Sequence, residues 1–209
     1  MRAVLRGRTS PFGSDSSLVP SPKGGCLARH LSAWEDLGAE DWILRVLREG
    51  YRIPFHSPPP VTRAPLHFTS YSTDSERGKA LQVEVTALLH KGAVEDASPT
   101  PGFYSHLFVV PKATGGFRPV IDLSFLNRHV ITTKFRMETV QTVLAAVHHL
   151  DWMVSVDLKD AYLQIPIHPQ SRRFLRFSWE GRTLQFRALC FGLSTAPQVF
   201  TRIMAPISL

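Results

Sequence analysis

The sequence predicts an α+β protein of one or two compact domains. Helical and strand patterns follow one another as helix, hairpin, helix, strand, hairpin and helix, without an internal repeat. The 209 residues are 44% hydrophobic and 20% charged, which supplies a core and excludes a disordered or collagen-like chain. The net charge of +7 divides into +4 for residues 1–30, −3 for residues 31–100 and +6 for residues 101–209. A polyanionic partner would therefore contact the second half or the basic start.

Residues 1–30 are predicted to form a disordered basic leader, because Ser, Pro, Gly and Arg dominate there without apolar periodicity. The acid-poor start also suits an organelle transit peptide, although prolines and glycines interrupt any amphipathic helix. Cys26 and Cys190 are too few and too far apart for a disulfide framework or a zinc site, which favours a reducing compartment. With no secretory signal and no apolar run of roughly 18 residues, we expect an intracellular protein of the cytoplasm or nucleus, neither secreted nor in a membrane.

Residues 31–74 are predicted to form a helix followed by a proline-rich connector. Apolar residues recur at helical spacing from Leu31 to Glu49, and Gly50 is a suitable helix stop. The triplet Pro58-Pro59-Pro60 is stiff and extended, so we interpret it as a spacer.

Residues 75–209 carry the remaining elements. Apolar residues at i, i+4, i+7 and i+8 from Leu81 predict a helix over residues 75–91, with Gly92 just past its end. Two runs rich in β-branched and aromatic residues, 107–110 and 117–123, flank a Thr-Gly-Gly turn and predict a hairpin. The patterns further predict a helix over 137–147, a buried strand over 153–158, a hairpin from 174–179 and 183–188, and a helix from about 195 to 204.

Four segments of this part contain residues suited to chemistry. They read, in chain order, Lys-Gly-Ala-Val-Glu-Asp-Ala-Ser (91–98), Val-Val-Pro-Lys-Ala-Thr-Gly-Gly-Phe-Arg-Pro-Val-Ile-Asp-Leu (109–123, with Asn127 following), Val-Asp-Leu-Lys-Asp-Ala-Tyr-Leu-Gln-Ile-Pro (156–166) and Cys-Phe-Gly-Leu-Ser-Thr-Ala-Pro-Gln-Val-Phe (190–200). In this order and spacing, over roughly residues 75–204, they resemble the reverse transcriptases of retrotransposons and retroviruses. Residues 42–55 look most like the region ahead of the polymerase in DIRS-type retrotransposons, which use a tyrosine recombinase.

The resemblance implies that residues 75–209 form the fingers and part of the palm of a right-hand polymerase. It also implies Mg²⁺ as the cofactor, an RNA/DNA template-primer and deoxynucleoside triphosphates as partners, and RNA-directed DNA synthesis as the activity of the complete protein.

Asp157 is the candidate catalytic residue. It follows the apolar run at residues 154–156, and an acid that ends a buried strand is costly unless it is paired or metal-bound. Polymerisation uses two divalent ions that stabilise the attacking and leaving oxygens. The resemblance implies a metal site at Asp157 and Leu158. An aspartate that caps the following turn is the alternative.

The resemblance implies that the backbone of Asp160 and Ala161 faces a triphosphate and that the Tyr162 ring lies under the deoxyribose. A ring in that place collides with a ribose 2′-hydroxyl, which makes Tyr162 the candidate steric gate. A tyrosine buried in the core is the alternative.

Lys112 and Arg118 flank the predicted hairpin turn, and Arg offers the bidentate geometry that phosphate oxygens favour. By resemblance they grip the incoming nucleotide; solvated surface is the alternative. The resemblance also implies that Phe191 and Gly192 pack against the incoming base and the template strand. An ordinary turn that leads into the last helix is the alternative. Retroviral enzymes commonly have Gln where this chain has Phe191, so the Phe favours a retrotransposon.

Five arginines supply much of the positive charge of the second half. Either they track a nucleic-acid backbone, or they form the solvated side of a hairpin. They are Arg172, Arg173, Arg176, Arg182 and Arg187.

The family's second pair of catalytic aspartates, in a Tyr-x-Asp-Asp pattern after the last helix, does not occur in the 209 residues. We therefore expect negligible polymerisation by this chain alone. A catalytically dead remnant that acts at most as a nucleic-acid-binding module is one alternative. A piece of a polyprotein described by its ribonuclease H activity is another.

Overall fold

Six α-helices and five β-strands have defined bounds in the part of the chain that the computed structural model describes, namely residues 23–63, 74–113, 115–135, 141, 145, 148 and 157–207. The helices are α1 (Leu31–Asp36), α2 (Asp41–Glu49), α3 (Glu76–His90), α4 (Ser124–Asn127), α5 (Pro169–Arg172) and α6 (Ala196–Met204). The strands are β1 (Val94–Asp96), β2 (Leu107–Pro111), β3 (Phe117–Ile121), β4 (Arg176–Trp179) and β5 (Arg182–Phe186). Short 3-10 helices span Cys26–His30, Tyr162–Gln164 and Ala205–Ile207. This mixture of helices and strands confirms the predicted α+β class.

Helix α3 agrees with the predicted amphipathic helix to within one residue at each end. The Ser75 side chain caps its start by accepting a backbone hydrogen bond of 3.0 Å from the first turn. Leu81, Val85 and Leu88 are buried, as the apolar stripe predicts. The chain leaves the helix just before Gly92, whose φ of +62° lies in the left-handed region.

The helix predicted over residues 31–49 is in fact two helices, α1 and α2. Gly38 has a φ of +69°, and the Ala39 amide donates to the carbonyl of Trp34 at 3.0 Å, so the chain turns there. The apolar spacing continues across the break because α1 and α2 both pack on the same core, with Trp34 and Ile43 buried. Periodicity alone therefore did not reveal the turn.

Residues 23–30 are folded, which corrects the prediction that the disordered leader extends to residue 30. The 3-10 helix Cys26–His30 lies here, preceded by two glycines that contact the rest of the chain. The Gly24 amide donates to the carbonyl of Lys91 at 2.7 Å, and the Gly25 amide donates to the carbonyl of Leu163 at 2.8 Å. A Cβ on Gly24 would lie 2.0 Å from the carbonyl oxygen of Gly92, so only glycine permits this approach.

Strands β2 and β3 form the predicted hairpin, a two-stranded antiparallel sheet. Val110 pairs with Arg118, and the Lys112 amide donates to the carbonyl of Gly116 at 2.9 Å to close the turn. The predicted cations at positions 112 and 118 therefore flank the tip of a real hairpin. Helix α3 packs against this hairpin.

The second sheet has three antiparallel strands in the order β1-β5-β4. The β4–β5 hairpin was predicted, and its turn residues Glu180 and Gly181 have φ values of +46° and +74°, as a two-residue hairpin turn requires. Strand β1 was not predicted as a strand, because three residues are too few to display alternation. The predicted helix over 137–147 and the predicted strand over 153–158 lie outside the described residues, apart from a few positions.

One continuous core joins the N-terminal helices to the two sheets and to α6. Arg202 of α6 donates to Glu40 at 3.1 Å (Nη2 to Oε2) and stacks on the Trp42 ring at 4.1 Å from its centroid. The hydrogen bond from Arg202 lowers the pKa of the Glu40 carboxyl. Within the described ranges, no helix is both long enough and apolar enough to cross a membrane.

Candidate functional site

A cleft of about 580 Å³ separates the β2–β3 hairpin from the turn that precedes the 3-10 helix Tyr162–Gln164. Lys112 and Arg118 of the hairpin line it, and so do Asp160 and Phe191. Both cations are exposed. The structure thus brings together four of the predicted site residues from three of the four segments.

Asp160 occupies an unusual position in this cleft. Its φ of +57° lies in the left-handed region, which costs a non-glycine residue energy unless its surroundings fix it there. Lys91 supplies such a constraint, because its Nζ lies 2.8 Å from Asp160 Oδ1. The other carboxylate oxygen, Oδ2, is buried and has no hydrogen-bond partner in the described part of the chain. Lys91 belongs to the first of the four segments but was not predicted as a site residue, because its pairing with Asp160 is a tertiary contact.

Tyr162 lies beside the cleft rather than in its lining. Its ring contacts the rings of Phe191 at 4.8 Å and Phe200 at 5.4 Å between centroids, and partial burial raises the pKa of its hydroxyl. Ala161 immediately precedes the 3-10 helix, and a hydrogen bond of 2.9 Å from Gln164 Nε2 to the Lys159 carbonyl closes the turn. The tyrosine is therefore held by packing on an exposed aromatic neighbour, Phe191, which is 57% exposed.

The loop that carries Phe191 and Gly192 is fixed by Asn127. The Asn127 Nδ2 donates to the Gly192 carbonyl at 2.8 Å, and its Oδ1 accepts from the Ser194 amide at 2.9 Å. Gly192 has a φ of +98°, and a Cβ there would lie 2.8 Å from the Ile121 carbonyl oxygen. The predicted glycine is thus required by both backbone conformation and contact. Asn127 was noted beside the second segment, but its positioning role was not predicted.

Asp157 and Leu158 are exposed and do not line the cleft. The Asp157 carboxylate makes no hydrogen bond or ion pair with the residues that the structure describes. No group of three or more His, Cys, Asp or Glu residues in those same ranges could hold a metal ion. Among the described residues, Asp157 therefore fits one carboxylate ligand of a metal site, and no others there complete such a site.

The five arginines neither line one nucleic-acid track nor form one solvated face. Arg172 donates to both oxygens of Glu95 at 3.0 and 3.2 Å, and Arg182 donates to both oxygens of Asp96 at 2.9 Å. Arg176 is buried, with 1% of its surface exposed. Both alternatives from the sequence fail for Arg172, which pairs with Glu95 of β1, and for Arg176, which is buried. Arg182 is exposed on the β4–β5 hairpin, as the solvated-side alternative predicts, and pairs there with Asp96 of β1.

Cys190 lines the cleft wall as a buried thiol, and burial raises its pKa to about 12. At pH 8 only about one Cys190 thiol in ten thousand is ionised, and the thiolate is the reactive form. We expect iodoacetamide at pH 8 to modify the half-buried Cys26 and to leave Cys190 unmodified, with peptide mass spectrometry as the readout. In urea both cysteines react. Equal modification of the two thiols in the native protein would contradict the burial of Cys190.

Comparison with known proteins places this geometry among polymerases. Residues 110–208 match the profile of the family described as reverse transcriptase (RNA-dependent DNA polymerase). The enzymatic polyprotein of Cestrum yellow leaf curling virus is 31% identical over 127 residues, which cover 58% of this chain and 19% of that protein. The retrovirus-related Pol polyprotein from transposon gypsy of Drosophila melanogaster is 30% identical over 150 residues, which cover 69% and 14%. The chain therefore spans less than a fifth of the length of these curated relatives.

Solved structures of foamy viral protease-reverse transcriptase share the fold. One, a dRH form in complex with double-stranded DNA, aligns with a TM-score of 0.56 at 19% identity and covers 93% of this chain and 36% of that chain. Another, in complex with an RNA/DNA hybrid, has a TM-score of 0.50 at 21% identity and covers 84% and 23%. These alignments confirm the predicted polymerase fold.

Proposed function

We propose that this chain binds a deoxynucleoside triphosphate in the cleft and that it serves RNA-directed DNA synthesis in the complete protein. Residues 110–208 match the reverse transcriptase family, and the relatives are polyproteins of retrotransposons and retroviruses. The observation that carries the proposal is that Lys112 and Arg118 line one cleft together with Asp160 and Phe191. A triphosphate carries several negative charges, and two exposed cations at a hairpin tip match that charge.

Each group in or beside the cleft has a separate task in the proposal. Arg118 binds phosphate oxygens in a bidentate manner, and Lys112 adds a point charge. The backbone of Asp160 and Ala161 faces the phosphates. Tyr162 lies under the sugar and excludes a 2′-hydroxyl, a role supported by the packing of its ring against Phe191 at 4.8 Å, since a packed ring yields little space.

The complete protein requires a divalent cation, which we propose is Mg²⁺. Carboxylate oxygens are the ligands that Mg²⁺ prefers, and Asp157 offers a carboxylate without a competing partner among the described residues. When bound, the ions stabilise the attacking and leaving oxygens of nucleotidyl transfer. One carboxylate cannot hold two ions, so we expect no primer extension by the 209 residues alone.

We further propose an RNA/DNA template-primer as the nucleic-acid partner. Two foamy viral relatives in fold were solved with double-stranded DNA and with an RNA/DNA hybrid, which supports this assignment. The finer origin that we propose is a DIRS-type retrotransposon, on the strength of residues 42–55 and Phe191. An intracellular location is consistent with two free cysteines.

The salt dependence of template-primer binding distinguishes a polymerase site from a simple nucleic-acid-binding module. We expect the logarithm of the association constant for the template-primer to fall linearly with the logarithm of the salt concentration. The double variant Lys112→Ala/Arg118→Ala leaves the slope of this line unchanged, because both cations face the triphosphate site. The measurement is fluorescence anisotropy with a labelled RNA/DNA duplex.

The matched control for this measurement is Arg45→Ala/Lys79→Ala, which removes two exposed cations from α2 and α3. If Lys112→Ala/Arg118→Ala reduces the slope by about two units while the control does not, the two cations contact the duplex backbone. That outcome would overturn their role at the triphosphate and favour the non-catalytic module.

A further inference from the structure

We propose that a second cleft, formed by residues 98–100, helix α5 and strands β4 and β5, binds a phosphate group. This cleft has a volume of about 590 Å³. Its polar lining residues are Ser98, Thr100, Gln170, Arg173, Arg176 and Gln185. The lining residues that the structure describes thus contain two guanidinium groups and no carboxylate.

Arg176 is the residue on which the site is built. Its side chain is buried, with 1% of its surface exposed, yet no carboxylate among the described residues pairs with it. Its hydrogen bonds run to neutral acceptors, namely Gln185 Oε1 at 3.2 Å, Thr100 Oγ1 at 3.2 Å and the Thr100 carbonyl. These three bonds use three of the five N–H groups of the guanidinium. A buried cation without a counter-charge is costly, and an anion in the adjoining cleft offsets that cost.

The surrounding chain is shaped to hold this arginine. A Cβ on Gly102 would lie 2.5 Å from Arg176 Cδ and 2.6 Å from its Nη1, so glycine makes the space that the side chain fills. The Arg176 guanidinium also faces the Tyr104 ring at 6.0 Å from its centroid. The position of the charge is therefore fixed by backbone and ring, and it does not depend on a flexible surface contact.

The acid that contacts Gln185 is already paired with an arginine. Gln185 Nε2 donates to Glu95 Oε1 at 2.9 Å, which turns the Gln185 carbonyl oxygen toward Arg176. Glu95 itself is paired with Arg172 at 3.0 Å and lies 4.0 Å from Arg187. The cluster thus retains an excess of positive charge, and that excess lies at the cleft.

Arg173 completes the proposed site from the rim. It is exposed, and its guanidinium lies over the Phe174 ring at 4.9 Å from the centroid, which limits its freedom. Two arginines with several free N–H groups between them match the tetrahedral oxygens of phosphate, which arginine binds in a bidentate manner. The phosphate group belongs either to a nucleic-acid backbone or to a free phosphate ion.

Titration with inorganic phosphate tests the proposal on the full 209-residue chain. Chemical-shift changes of arginine Nε–H signals report saturation, with chloride at equal ionic strength as the reference. We expect saturable binding that weakens at least roughly tenfold in Arg173→Gln, because half of the charge at the cleft is removed. Absence of saturation, or equal affinity in Arg173→Gln, would overturn the proposal.

A second variant keeps the test independent of folding. Gln170 lies on the exposed rim and accepts a hydrogen bond of 2.9 Å from Arg52, which a glutamate accepts equally well. Gln170→Glu therefore preserves this contact while adding a negative charge, and we expect it to abolish phosphate binding. The control Arg45→Gln removes an exposed cation on α2 and leaves the affinity unchanged. Unchanged phosphate affinity in Gln170→Glu contradicts the site.

A competition experiment identifies the source of the phosphate. If a short single-stranded oligonucleotide displaces inorganic phosphate from this cleft, the ligand is the nucleic-acid backbone; if phosphate remains bound, the ligand is the free ion. Deoxynucleoside triphosphate binding at the first cleft stays intact in Gln170→Glu, so failure of one site does not entail failure of the other.

Discussion

We expect Asp157→Asn to reduce primer extension roughly a thousandfold in a protein that joins these 209 residues to the remaining carboxylates of a polymerase site. The amide keeps the size of the side chain but removes the charge that a divalent cation requires. Asp157 makes no hydrogen bond or ion pair with the described residues, so the substitution disturbs no contact that the structure records. The measurement is elongation of a labelled primer on an RNA template with Mg²⁺ and deoxynucleotides.

The control for this experiment is Asp36→Asn, the same chemical change at an exposed position at the end of α1. We expect it to extend primers at the parental rate. Parental activity in Asp157→Asn would remove Asp157 from the catalytic site.

Gly50→Ala is the substitution with the largest expected effect on stability, about 4 kcal/mol in the free energy of unfolding. Gly50 ends α2 with φ of +95° and ψ of +155°, a region that is almost confined to glycine. A Cβ there would also lie 2.3 Å from the His168 backbone nitrogen. The contact cannot relax cheaply, because the Tyr51 amide and carbonyl bond the backbone of Pro166 and His168 at 2.7 and 3.0 Å. Urea unfolding measures the loss.

Gly38→Ala separates conformational strain from contact in this prediction. Gly38 has a φ of +69°, but a Cβ there would meet nothing within 4 Å. We expect a loss of only about 1 kcal/mol, from the left-handed backbone alone. Equal losses in Gly38→Ala and Gly50→Ala would mean that the close approach of Gly50 to His168 does not exist.

The elements with strong local signals were predictable from the sequence. Helix α3 has a regular apolar stripe and a terminal glycine, and both appear as expected. The two hairpins likewise follow from turn chemistry at residues 113–116 and 180–181. In these places local propensity and tertiary structure agree, so the pattern is sufficient.

The errors of prediction come from contacts between distant parts of the chain. The fold of residues 23–30 depends on amides that bond Lys91 and Leu163, which no local pattern encodes. Arg172 is held by Glu95 and Arg182 by Asp96, which lie 77 and 86 residues away in sequence. The charge composition therefore suggested a nucleic-acid surface at arginines whose charge is partly balanced by ion pairs with Glu95 and Asp96.

The candidate site was partly predictable for the same reasons. Lys112, Arg118 and Phe191 were identified from motif order, and the structure places them around one cleft. Lys91 and Asn127 were not predicted as site residues. Lys91 fixes Asp160 and Asn127 fixes the Gly192 loop, and such pairings appear only in the folded chain. Positioning residues have weaker sequence signals than the groups that they position.

A calorimetric titration of the 209-residue chain with a deoxynucleoside triphosphate, at low salt and with Mg²⁺, tests the central claim most directly. The cleft between the hairpin and the Asp160 turn predicts saturable binding that Lys112→Ala/Arg118→Ala abolishes and that Arg45→Ala/Lys79→Ala retains. It also predicts weaker binding of the matching ribonucleotide, a difference that Tyr162→Val removes. Equal binding by both double variants would contradict the assignment of this cleft as the nucleotide site.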